Sequence, residues 1–146
     1  IKVMKEKVFE KQSDRTREID TLNKFCEAIG VTFKIHQPMS PVDASVYKGE
    51  KRVCFAEVKT MNKDLDKIHD IRISLRKLAN VQKYSLEEES NCCIVYRFNN
   101  NRIGYFWLSD IKNSRCSWGG MNNPRKGSLY DRELMVYIPV DTLRMI

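Results

Sequence analysis

Three charged residues stand where two β-rich segments flank a turn. Asp43 ends Ser40-Pro41-Val42-Asp43, and after thirteen intervening residues Glu57 and Lys59 follow in Phe55-Ala56-Glu57-Val58-Lys59. Two carboxylates on adjacent strands can hold a hard divalent cation, which takes oxygen ligands and keeps several waters. A lysine two residues past the second carboxylate emerges on the same strand face, where it can orient a water or meet developing negative charge. That equipment suits phosphodiester hydrolysis, in which a cation neutralises non-bridging oxygens and acidifies the attacking water. The inert alternative has Asp43 capping a strand start and Glu57 and Lys59 as a surface pair at i, i+2.

The surrounding elements decide between them. Val31–His36 alternates and is rich in β-formers, Gln37–Pro41 breaks it, and a second strand runs from Val42 to Tyr47. Lys48-Gly49-Glu50-Lys51 turns the chain into a third strand, Arg52 to Lys59. Along it Val53, Phe55, Glu57 and Lys59 face one way and Cys54, Ala56 and Val58 the other. Both faces are largely apolar, as in a central strand covered on both sides, and the end of such a strand is an expensive place for idle charges.

Before these strands, Ser13 or Asp14 is placed to cap a helix reaching Ala28 or Ile29, with Ile19, Leu22, Cys26 and Ile29 as its apolar stripe and Gly30 as its C-cap. Glu18 lies at the edge of that stripe; an exposed first-turn acid is the plain alternative. Residues 1–12 are mostly charged, with Val3, Val8 and Phe9 as anchors. After the strands, the spacing of Ile68, Ile71, Leu75 and Leu78 predicts a long helix over 66–88. Four residues on, the stripe meets Gln82, which either sits at an exposed helix end or faces a polar pocket. Arg72, Arg76 and Lys83 line the neighbouring flank, which as a solvated face would need no further role. Cys92–Phe98 and Ile103–Leu108 form a hairpin about Asn99–Arg102. Residues 113–128 read as a long loop carrying Lys112, Arg115, Trp118, Arg125 and Lys126 at or near it, a mixture suited to a nucleic-acid strand. Leu134–Ile138 is a last strand, followed by a short helical end.

The order of elements gives an α/β domain with a mixed sheet flanked by helices. Together with Pro41-Val42-Asp43 and Glu57-Val58-Lys59, it resembles the PD-(D/E)XK nuclease superfamily, the restriction-endonuclease-like fold, over roughly residues 14 to 110. Val42 splits the Pro-Asp pair of the family pattern. The resemblance implies that Asp43, Glu57 and the Val58 carbonyl hold Mg²⁺, with Mn²⁺ able to substitute, and that Lys59 acts on the water or the phosphate. It gives Glu18 a place at the metal and turns Gln82 toward the active site. It implies an endodeoxyribonuclease leaving 5′-phosphate and 3′-hydroxyl ends, with Arg15, Lys34, Arg72, Arg76, Lys83, Arg97 and Arg102 as candidate phosphate contacts. Archaeal-type Holliday-junction resolvases and small phage nucleases share this compact layout, and the dimeric members leave a homodimer open. Competing functions are a catalytically inactive nucleic-acid-binding module of the same fold and a protein-interaction domain.

Bulk properties are compatible with this. Residues 1–146 are short enough for one domain and long enough for one buried core. A net charge of +7 favours a polyanionic partner such as DNA. No apolar run approaches the roughly 20 residues that span a bilayer, and Ile1–Lys7 has no apolar leader core, so a cytoplasmic protein without membrane association is expected (the host cytoplasm if phage-encoded). The cysteines, five in number with Cys92 and Cys93 adjacent, are poorly spaced for zinc and suit a reducing compartment.

Overall fold

A computed structural model describes residues 2–120 and 132–146, with side chains described over 15–119 and 133–146. The elements are α1 (Lys2–Ile29), β1 (Thr32–Ile35), β2 (Ala44–Lys48), β3 (Lys51–Thr60), β4 (Asp70–Ser74), α2 (Leu75–Glu87), β5 (Cys92–Arg97), β6 (Ile103–Trp107), β7 (Arg115–Gly120), β8 (Arg132–Pro139) and β9 (Arg144–Met145). Among the described residues they form one sheet in the order β1-β2-β3-β5-β6-β9 and a smaller one in the order β4-β8-β7.

The first three strands are an antiparallel meander, and β3 lies parallel to β5. A parallel neighbour needs a crossover, and β4 with α2 supplies it. β3 is the central strand expected from its apolar run, buried from Cys54 to Val58. Val53 has no partner in the register, because Val46 faces Cys54 while Tyr47 faces Arg52; this bulge starts the buried run at residue 54.

The two faces of β3 enter different cores. Ala56 and Val58 pack with Leu22, Phe25 and Cys26 of α1, together with Cys93 and Val95. Phe55 packs with Val42, Ile71, Ile73, Val81, Ile94, Tyr96 and Phe106 on the side covered by α2 and the smaller sheet. Glu57 shares the parity of Phe55 and so points into this second layer. Four of the cysteines, Cys26, Cys54, Cys92 and Cys93, are buried free thiols, and Cys116 is exposed. No helix is long and apolar enough to cross a membrane among the described residues.

Several boundaries differ from the sequence expectation. The first helix begins at Lys2, so positions 13 and 14 lie inside it rather than at its start. Among the described residues its buried positions are Thr21, Leu22, Phe25 and Cys26, and Ile19 and Ile29 are more than a third exposed. Its end is as expected: Gly30 has φ +74° and the Val31 N–H donates to the Cys26 carbonyl at 3.0 Å, the bond pattern of a Schellman cap.

The larger correction concerns residues 66–88. Asp70–Ser74 is a strand, with Ile71 and Ile73 buried and Arg72 exposed between them. The helix begins only at Leu75, where the Ser74 Oγ caps it by accepting from the Lys77 N–H at 3.0 Å. Ile71 and Ile73 show the period of two, and Ile71, Leu75 and Leu78 match a helical stripe by coincidence of spacing. The expected loop at 113–128 likewise contains a strand, β7, which pairs with β8 from Arg115↔Tyr137 to Gly120↔Arg132. Arg125 and Lys126 lie outside the described residues, as do the side chains of Val3, Val8 and Phe9.

Candidate metal centre and nucleic-acid cleft

Asp43 sits one residue before β2 and continues its ladder by other means. Its N–H donates to the Ala56 carbonyl at 3.0 Å, and its carbonyl accepts from the His36 N–H at 2.8 Å. The Asp43 carboxylate then takes the place of a backbone carbonyl, with Oδ2 accepting from the Val58 N–H at 2.7 Å. The loop leading to it is pinned by His36, whose Nδ1 lies 2.9 Å from Ser40 Oγ and whose Nε2 lies 2.5 Å from Ser45 Oγ. Burial, and then the Arg52 charge, push the His36 pKa down against the pull of Asp43, a shift toward the neutral imidazole.

Glu57 is 2% exposed. Its Oε2 meets Lys77 Nζ at 2.5 Å, and its Oε1 is buried with no hydrogen-bond partner. Burial pushes the carboxyl pKa up to about 8, helped by the neighbouring Asp43 carboxylate and opposed by Lys77. Leaving a buried carboxylate incompletely paired costs several kcal/mol, while burying a neighbouring Ile or Phe contributes about 1.5–3 kcal/mol. The fold therefore spends the gain of roughly two core side chains on Glu57. This argues against an idle surface pair.

Even-numbered residues of β3 turn their backbone groups toward β2, and that ladder ends with Asp43 bonding to Ala56 and Val58. The Val58 carbonyl therefore lies past the end of the β2 ladder, on the side of Asp43. Lys59 is half-buried at the strand end. It lines one cleft of about 360 Å³ with Val58, Glu18 and Asn62, and another of about 420 Å³ with Arg72, Lys63 and Tyr96. Glu18 also lines a hollow of about 220 Å³ with Arg15, His36 and Asp43. The first helix thus places Glu18 on one hollow with Val58 and Lys59 and on another with Asp43.

The sequence matches, over residues 4–146, the family described as "Phage putative PDDEXK endonuclease". The chain belongs to this PDDEXK endonuclease family. No curated protein matches it. Among solved structures it is similar to Hjc, a Holliday junction resolvase from Archaeoglobus fulgidus, with TM-score 0.53 and 11% identity, covering 84% of this chain and 88% of that one. The architecture is accordingly the restriction-endonuclease-like α/β fold, a mixed central sheet flanked by helices.

The residues expected at the motif carry donors that suit a divalent cation. Asp43, Glu57 and the Val58 carbonyl offer oxygen only, as a hard cation requires, and Glu57 Oε1 has no hydrogen-bond partner. Among the described residues no three His, Cys, Asp or Glu side chains gather as one metal-holding group.

Other expectations need correction. Gln82 does not turn toward Glu57: it is exposed on α2, and Val81 beside it takes the buried position. The helix starting at Leu75 instead directs Lys77 at Glu57, a residue that sequence reasoning missed. Arg97 is tied within the fold. Its Nη1 lies 2.7 Å from Asp20 Oδ2 on α1, its Nη2 donates to Asn101 at 2.7 Å, and its side chain is 17% exposed.

The remaining basic candidates scatter. Arg15 donates to the His36 carbonyl at 3.1 Å, Lys34 lies 5.4 Å from the Tyr47 ring centre, Arg102 lies 3.7 Å from Asp66, and Lys83 lies 3.8 Å from Glu87. Arg76 is exposed on α2. Arg72, on β4 rather than a helix, is exposed and lines the same cleft as Lys59. Trp118 is exposed on β7, and Arg115 stands over the Tyr137 ring at 4.5 Å.

Proposed function

We propose that residues 1–146 act as one nuclease domain that hydrolyses DNA phosphodiester bonds with Mg²⁺, leaving 5′-phosphate and 3′-hydroxyl ends. The observation that carries this is the buried, unpartnered Oε1 of Glu57 beside the Asp43 carboxylate, at the end of the strand that carries Lys59. Asp43, Glu57 and the Val58 carbonyl would hold the cation, with Glu18 lining the adjoining hollows. When bound, Mg²⁺ supplies positive charge to the phosphate and lowers the pKa of the attacking water; Mn²⁺ would do the same.

The Lys59 ammonium orients the water or meets charge on the phosphate in the transition state, where a fixed charge is worth more than in bulk water. Lys63 and Arg72, on the walls of its cleft, hold the strand by its phosphates. Arg15, Lys34, Arg76, Lys83 and Arg102 are peripheral phosphate contacts at most. Because the fold is shared with a Holliday junction resolvase, a four-way junction belongs among the test substrates.

The test is a panel of plasmid, linear duplex, single strand and four-way junction, with Mg²⁺, Mn²⁺ or EDTA. Cleavage by the wild type that requires the cation and vanishes in Asp43→Ala and Lys59→Ala is the expected result. Undiminished cleavage by purified Asp43→Ala would overturn the assignment. Salt-sensitive binding without turnover on every substrate would point to the inactive module.

A further inference from the structure

The two carboxylates expected at the metal are tied differently. Asp43 gives Oδ2 to the Val58 N–H, and its carboxylate lies against that of Glu57. Glu57 gives Oε2 to Lys77 and keeps Oε1 without a partner. Lys77 is itself held in place. Its N–H donates to Ser74 Oγ in the first turn of α2, and its Nζ also donates to the Pro41 carbonyl at 3.1 Å. One ammonium thus joins the second carboxylate to the loop that delivers the first.

A carboxylate that has committed one oxygen to an ammonium can offer a cation only the other. Mg²⁺ accepts this, since it binds one oxygen from each ligand in a tight octahedron at about 2.0–2.1 Å. Ca²⁺ prefers about six to eight oxygens at longer range and often takes both oxygens of a carboxylate. We propose that Lys77 sets the cation selectivity of this site, confining Glu57 to one-oxygen ligation and so favouring Mg²⁺ and Mn²⁺ over Ca²⁺. Lys77 is a positioning residue that acts through Glu57, and the inference rests on the metal-site reading above.

Metal binding, rather than cleavage, provides the test. Mn²⁺ binding is followed by electron paramagnetic resonance, with Mg²⁺ and Ca²⁺ as competitors, for the wild type, Lys77→Met, Lys77→Arg and Asp43→Asn. Circular dichroism checks that each variant is folded, and Lys77→Gln replaces the methionine variant if that fails to fold. Lys77→Met should shift the Ca²⁺-to-Mg²⁺ affinity ratio by about tenfold toward Ca²⁺, while Lys77→Arg stays near the wild type. Simple loss of a positive charge would raise both affinities together, so an unchanged ratio in a folded Met or Gln variant overturns the proposal. Wild-type protein that binds no Mn²⁺, or binds it as well after Asp43→Asn, overturns the metal-site reading itself and the selectivity proposal with it.

Discussion

Asp43 and Val58 are 15 residues apart, and the carboxylate of one accepts a 2.7 Å hydrogen bond from the backbone N–H of the other. The bond closes the β2–β3 ladder with a side chain, and it fixes where the remaining Asp43 oxygen must be. It also separates two substitutions that are usually treated alike. Asp43→Asn retains an oxygen for Val58 and loses only the charge, whereas Asp43→Ala loses both. Both should lower cation-dependent cleavage by about 10²-fold or more. Asp43→Ala should in addition be less stable than Asp43→Asn by about 1 kcal/mol in urea denaturation, because the Val58 N–H is orphaned. Equal stability of the two would remove the structural role given to Oδ2.

Glu57 should make the metal-free protein weaken as pH rises. Its folded pKa is raised to about 8, so the folded state holds a proton that the unfolded chain has already released. The associated stability is present below the ordinary carboxyl value near 4.5 and is lost as pH climbs through 8. Urea melts in EDTA at pH 5, 6.5 and 8 should show a decline on the order of 3 kcal/mol that is absent from Glu57→Gln. His36, with its lowered pKa, contributes the opposite slope near its ordinary value, so the difference between the two proteins is the quantity to read. Parallel pH profiles would show that Glu57 ionises freely.

Arg97 and Arg72 are expected to fail in different assays. Arg97→Ala removes the tie from β5 to Asp20 and Asn101 and leaves those groups without their donor, costing about 1–3 kcal/mol of stability. Arg72→Ala should leave stability within about 0.5 kcal/mol. It should weaken DNA binding across sequences and reduce the salt slope by about one. Urea melts and fluorescence anisotropy titrations at several salt concentrations separate the two.

Gln82→Ala checks the corrected start of α2. An exposed glutamine beside the buried Val81 predicts a stability change within about 0.5 kcal/mol and unaltered cleavage. Ile73→Ala, in the strand that replaces the expected helical turn, should cost about 2–5 kcal/mol because Ile73 is 2% exposed in the core. A large loss of cleavage in Gln82→Ala would return that residue to the site.

The motif was legible because strands write their geometry plainly. Phe55, Glu57 and Lys59 share a parity, and the turn at Gly49 fixes which strand faces which. The position of Glu18 beside the buried face of its helix was legible because Leu22 and Phe25 set that face. The crossover was not. Ile68, Ile71, Leu75 and Leu78 fit a helical stripe, and only Ser74, a cap followed by a clean helical run, marks where the period changes. Placing the helix start too early put Gln82 on the wrong face. It also hid Lys77, one of 26 lysines and arginines, whose role depends on reaching across from α2 to a strand twenty residues earlier. Nor does sequence show that Arg97 is spoken for, because its partner Asp20 stands on α1.

The β4 strand has a consequence for how the site comes into being. Its ladder partner is β8, with Ile71 opposite Ile138. The helix that follows it carries Lys77, so the ammonium at Glu57 rests on a pairing between chain segments nearly seventy residues apart. Such pairings form late, after their loop-closure entropy has been met. A growing chain would therefore complete the Asp43–Val58 bond while Glu57 still lacked its fixed neighbour. A fragment ending near residue 110 would contain the whole motif without the strand that seats its helix.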